Sequence, residues 1–248
     1  AVNTVNLYTR EYYEQAMNRL KPGGILAQWI PLHSQSEREV AMHFRTFRSA
    51  FPHVMGWLPV ANEMILIGSD RPIALDFQKI KERVEEPSVL SDLADIHIKN
   101  IFSFLGNIWF LEEQLGRLGA GKPIIEDNHP YIEFYLDYPD IIGVPGLEKI
   151  MFNRAPFEDI AQRITNLPDN VRPALMSHYR AMNLYQRGVA YGSRAQLLEA
   201  LALVEDGGLI RYHLQATPAQ IVRLVGQVEK EPGNFEPLLN LGHVFYQL

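Results

Sequence analysis

Leu20-Lys21-Pro22-Gly23-Gly24-Ile25-Leu26-Ala27-Gln28-Trp29-Ile30 decides how the N-terminal part of the chain is read. Proline and paired glycines stop a helix, because glycine supplies the left-handed cap and proline blocks continuation. The apolar run Ile25–Ile30 that follows is short enough to read as a buried strand. Upstream, Tyr12, Ala16 and Leu20 recur at helical spacing with Tyr13 and Met17 beside them, so 8–20 is a helix. Thr9 is its expected N-cap and Glu11 a first-turn acid. Downstream, Val40, Phe44, Phe47 and Phe51 line one face of a second helix over 36–51, closed by Pro52. Ser36 and Glu39 have the spacing of a capping box. Strands are expected at 54–59 and 63–68, joined by a turn at Ala61-Asn62. Helices alternating with strands in this way define an α/β class.

From 72 to 121 the pattern reads as helical with short breaks, with Ile80, Val84, Ile101, Leu105, Ile108 and Leu115 marking apolar faces. Gly119–Pro123 is a breaker cluster. An extended stretch with a polar turn follows over 124–134, then a linker rich in proline, glycine and aspartate over 137–146. Beyond 147 the chain reads as helices at 156–165, 170–187, 193–204 and 218–231, the last opening on Thr217-Pro218, a cap with proline at the first helical position. One more helix begins at 234.

The 248 residues are 47% hydrophobic, enough for one large or two small cores. With 23 basic against 29 acidic residues the net charge is −6, which argues against nucleic acid and against an anionic membrane surface as partners. The absence of cysteine removes disulfides, thiolate nucleophiles and Cys-ligated metals together. No apolar run approaches the ~20 residues that cross a bilayer. Serine-hydrolase, zincin, P-loop and dinucleotide fingerprints are all missing.

The ordered blocks Leu7–Glu14 (LYTREYYE), Leu20–Leu26 (LKPGGIL) and Phe44–Val54 (FRTFRSAFPHV) resemble the later part of the spermidine synthase, or polyamine aminopropyltransferase, family. Asp127–Phe134 (DNHPYIEF) is similar to a block of bacterial spermidine-synthase-like proteins that are often fused to membrane segments. The resemblance implies the C-terminal part of a Rossmann-like, methyltransferase-type sheet, with 25–30 as its fifth strand, 54–59 its sixth and 63–68 its antiparallel seventh. It implies that these residues are a fragment of a longer protein. The nucleotide loop, the ribose-binding acid and the catalytic aspartate would then lie upstream, and this fragment would be inactive and hold no cofactor itself. In the intact protein it implies S-adenosylmethionine or its decarboxylated form, with an amine nitrogen attacking the sulfonium-activated carbon. It further implies a domain at the cytoplasmic face, with a membrane anchor upstream. Two features depart from the family: Gln28 stands one residue before the position of the family's pocket glutamine, and Pro59–Glu63 replaces its tyrosine-containing loop.

Glu231–Tyr246 resembles a tetratricopeptide junction, with Pro232 ending one repeat and Leu241-Gly242 and Phe245 in the first helix of the next. The expected division is therefore 1–146, spermidine-synthase-like α/β, and 147–248, an α-helical repeat-like region. Such a region would present a protein-binding surface. The uncovered sheet edge would favour a homodimer.

The candidate substrate-binding residues are Gln28, His33 and Gln35, placed after the fifth strand where α/β sheets bind ligands; read plainly, they are loop and cap residues. Asp127, His129 and Glu133 form the densest polar cluster. They could act as acid and base, hold a metal, or cover a cleft. As turn chemistry the same residues bind backbone amides and let Pro130 fix the chain, and this structural reading is preferred. Trp29 and Trp57 could stack on a ligand but read first as core aromatics. Glu11, Glu14, Glu37 and Glu39 read as a solvated helix face.

Overall fold

The computed structural model describes residues 5–32, 35–60, 63–129, 147–231, 233–237 and 239. It is a mixed α/β chain that divides into two compact units, Ala1–Val84 with Asn107–Arg172, and Glu85–Gly106 with Pro173–Leu248. Neither unit is continuous in sequence.

The first unit opens with a 3-10 turn, Val5–Tyr8, and α1, Arg10–Arg19. Thr9 caps α1 as its sequence predicts, its hydroxyl accepting from the Tyr12 amide. Gly23, at φ 76°, makes the turn into β1, Ile25–Pro31. Then come α2 (Glu37–Ala50), β2 (His53–Val60) and β3 (Glu63–Ser69). Both halves of the expected Ser36–Glu39 capping box are present. Short β4 (Leu75–Asp76) and α3 (Phe77–Val84) follow.

β3 lies between β1 and β2 and runs antiparallel to both, in a sheet ordered β1-β3-β2-β5. β5 is Ile108–Phe110, which corrects the helical reading of that stretch. All of its residues are buried, so the segment has no polar face to give a helix. Trp57 pairs with Ile108, and the Leu58 amide donates to the Asn107 carbonyl. The Trp109 indole donates to the Met151 carbonyl at 2.8 Å, and the Arg154 guanidinium lies 4.0 Å over its ring. These contacts join β5 to α7 (Leu147–Met151) and the turn after it.

The α2 face of the sheet carries the core. Phe47 and Phe51 stack at 4.8 Å, and Tyr13 of α1 meets Phe47 edge-on at 5.0 Å. Gly68 sits directly beneath; a Cβ there would lie 2.5 Å from Phe51 and 2.8 Å from Phe47. Phe44 of α2 reaches Phe110 at 5.6 Å. α6, Glu112–Gly119, packs against α2 with Gly119 at the Arg45 backbone. The opposite face grows more exposed toward the end of the sheet. Met55 and Trp57 of β2 are buried, Ile65 and Ile67 of β3 are intermediate, and Ile25 and Trp29 of β1 are 58% and 48% exposed. The unit closes with α8 (Phe157–Arg163) and β6 (Ile164–Thr165), which pairs parallel with β4.

The second unit is helical: α4 (Pro87–Asp95), α5 (Ile101–Leu105), α9 (Arg172–Ala190, shared at its first residue with the first unit), α10 (Arg194–Ala202) and α11 (Gly208–Lys230). Gly188 lets α9 approach Leu197 of α10, where a Cβ would come within 2.7 Å. α11 begins ahead of the expected start at Thr217-Pro218, so Pro218 lies inside it. Proline in a helix forfeits one backbone bond. Ile210 and Leu224, both buried and about four turns apart on one face, hold the longer helix in place. The tetratricopeptide-like residues Pro232 and Leu241–Phe245 lie outside the described residues.

Candidate functional site

The polar residues picked out from the sequence fall into two groups in the first unit. One follows β1. Gln28 pairs in register with Leu66, on the face that holds Gly68 and therefore looks toward α2, while Trp29 points to the open face. The Gln28 amide donates to its neighbour's carbonyl, Trp29 O, at 3.1 Å. Trp29 itself donates from its indole to the Glu63 carboxylate across the β1–β3 pair. Gln35 is 1% exposed and braces the β1–α2 connection, its Nε2 donating to the Pro31 carbonyl at 2.7 Å. That bond fixes the amide, and leaves Oε1 buried without a partner. His33 lies outside the described residues.

The other group is built on the start of α1. The Arg10 amide donates to Ile125 O at 2.9 Å, and the Ile125 amide donates to the buried Thr46 hydroxyl of α2 at 2.9 Å. This anchors the turn Glu126–His129, which its own backbone closes through His129 N to Glu126 O at 2.9 Å. The Asp127 amide donates to Glu11 at 3.2 Å. Arg10 pairs with Glu126 at 2.6 Å, and His129 Nδ1 stands 3.9 Å from the same carboxylate. Thus Asp127 and His129 come together in an exposed turn docked on α1. Glu133 lies outside the described residues.

α1 and α2 also carry buried polar side chains. His43 of α2 is 1% exposed, meets the Tyr8 ring edge-on at 5.0 Å, and has no partner for either ring nitrogen. Burial lowers its pKa to about 3, so the ring stays neutral at ordinary pH. The Tyr13 hydroxyl is likewise buried and unpartnered. Burial pushes its pKa well up, with the Tyr8 and Tyr12 phenols adding to it. A signal for His43 was present in the sequence: it stands three residues after Val40 and four before Phe47, inside the apolar stripe of α2. Glu126 and its link to Arg10 had no local signal, because the partners are far apart in the chain.

Chemically, this region offers a buried amide acceptor at Gln35, half-buried carboxylates at Glu11 and Glu126, and an exposed one at Asp127. Among the described residues no group of three or more His, Cys, Asp or Glu could hold a metal ion. The positive-φ glycines of the described residues, Gly23, Gly121 and Gly192, all follow helices, and none opens a phosphate-binding turn at the carboxyl end of a strand. Nor is any described helix long and apolar enough to cross a membrane.

A mixed α/β unit with an antiparallel strand between its neighbours, and a polar junction on the first helix, is the class of protein that fold and site define. Over 167 residues, 63% of the chain, the sequence is 28% identical to polyamine aminopropyltransferase 2 of Pseudomonas aeruginosa, a similarity that supports a spermidine-synthase-like relationship. The aligned part covers 43% of that protein, so the chain spans less than half the length of its curated relative. No family model and no solved structure matches.

Proposed function

We propose that these residues are the C-terminal part of a spermidine-synthase-like transferase that moves a group from S-adenosylmethionine, or its decarboxylated form, to an amine. The observation that carries the reading is the likeness to a polyamine aminopropyltransferase. Two structural features support it. The order β1-β3-β2, with β3 antiparallel to both neighbours, fits the end of a methyltransferase-type Rossmann-like sheet. Two of the blocks that carry the resemblance also meet: α1, through Arg10 and Glu11, holds the turn Glu126–His129 in which the block beginning at Asp127 starts. In this reading the cofactor site and the catalytic aspartate belong to upstream residues of a longer protein, anchored at the cytoplasmic face of a membrane, and the present chain alone is inactive.

A second reading is a catalytically degenerate scaffold whose helical, tetratricopeptide-like part binds a protein partner. The orientation of Gln28 favours it: the side chain faces α2 and reaches a backbone carbonyl. Calorimetric titration of the full-length protein with S-adenosylmethionine and its decarboxylated form, beside this chain as control, separates the two. Binding by the full-length protein alone supports the transferase. No binding by either supports the scaffold.

A further inference from the structure

The second unit contains a polar network that no part of the proposed transfer uses. His178 of α9 has both ring nitrogens against acceptors: Nδ1 lies 3.0 Å from the Ala174 carbonyl and Nε2 lies 2.9 Å from Asp206 Oδ1. Asp206 stands in the turn between α10 and α11. Its other oxygen accepts from Asn100 Nδ2 at 2.6 Å. Asn100 in turn caps α5, accepting from the Phe102 and Ser103 amides at 2.9 Å. The side chains of His178 and Asp206 are 13% and 17% exposed, so water competes little for these bonds.

A neutral imidazole has one N–H and one lone pair. Whichever tautomer is chosen, a lone pair then faces an oxygen, either a backbone carbonyl or a carboxylate. The imidazolium alone donates to both.

We propose that His178, Asp206 and Asn100 form a proton-dependent latch that holds the segment Glu85–Gly106 on the C-terminal helices and loosens when His178 loses its proton. Among the described residues, the following groups lie around this network. From α5 come Phe102, tilted on the His178 ring at 5.7 Å, and the Gly106 backbone. From the 203–207 turn comes Asp206, with exposed Glu205 beside it. Lys99, exposed, lies against Gly208 just beyond that turn. His97, with φ 61°, lies tilted on Tyr212 at 4.9 Å and is the imidazole within the segment itself. Asp206 fits the role. Burial pushes its carboxyl up, but the His178 bond and charge, with Asn100, bring it below the usual range, so it is held as the carboxylate. His213 of α11 acts in the opposite sense. Burial lowers its pKa, so it opposes acid, and the sign of the pH effect separates the two.

The test is amide hydrogen exchange of the full chain at about pH 5.5 and about pH 8.5, corrected for intrinsic rates, read at residues 97–106. Protection should fall by about tenfold at the higher pH, as expected for losing one hydrogen bond to a charged group. His178→Gln and Asp206→Asn should each remove the pH dependence, and His97→Gln should keep it. Unchanged protection across the two pH values overturns the latch. So does a pH dependence that survives in both His178→Gln and Asp206→Asn, or one that disappears in His97→Gln. If His178→Gln fails to fold, Asp206→Asn decides alone.

Discussion

His43 is the residue whose burial has the plainest thermodynamic consequence. Its pKa in the folded chain is lowered to about 3 by burial, whereas an unfolded imidazole binds its proton at the ordinary value. Between those two values the unfolded state holds the extra proton, so stability falls as pH drops, by about 1.4 kcal/mol per pH unit from this group. Urea unfolding of the wild type and His43→Leu from pH 7 to pH 4 measures it. The variant should show a shallower acid loss, because it has no proton to bind at that position. Gly68 makes a second prediction at this scale. Gly68→Ala would drive a methyl into Phe47 and Phe51, which are stacked and fully buried and so have nowhere to retreat. Loss of about 1–3 kcal/mol is expected in the same unfolding assay. Gly116→Ala should cost less than Gly119→Ala: the first meets the end of the Arg48 side chain, the second the Arg45 backbone.

At the scale of elements, the boundaries that local chemistry controls were legible in the sequence. Thr9, Ser36 with Glu39, and Gly23 announced where α1, α2 and β1 begin, because a cap or a left-handed turn is specified by one or two side chains. β5 was not legible. Ile108-Trp109-Phe110 is too short to show a period, and it becomes a strand only because β2 offers an edge. The start of α11 was hidden for the converse reason: Pro218 is a strong local signal, and the packing of Ile210 outweighs it. The candidate site divides in the same way. The turn nature of Asp127 and His129 could be read from residue types, but its docking on Arg10 and Glu11 could not. The Arg10–Glu126 pair is about one-third exposed on both sides, so Glu126→Gln should cost no more than about 1 kcal/mol in thermal or chemical unfolding.

For the molecule as a whole, the edge of β1 matters most. β1 ends the sheet, and its open face carries Ile25 and Trp29 in partial contact with solvent. An exposed apolar edge is a template for pairing with another chain. The chain is expected to dimerise through this edge, and Ile25→Lys should shift it to monomer in light scattering at micromolar concentration. Monomer alone for the unaltered chain would count against that expectation.

The interleaving of the two units sets an order of events during synthesis. Glu85–Gly106 leaves the ribosome before Asn107–Arg172, although the former belongs to the helical unit and the latter completes the sheet unit. A nascent chain halted before Asn107 would hold β2 with one side bare, since β5 has not yet been made. It would also hold α4 and α5 with no helices to receive them. Neither unit can close as a self-contained piece at the moment its first segment emerges. The sheet unit finishes when Arg172 is out, and the helical unit only after His178 and Asp206 have followed. The period between those two points is when a chaperone would find α4 and α5 still without their partners.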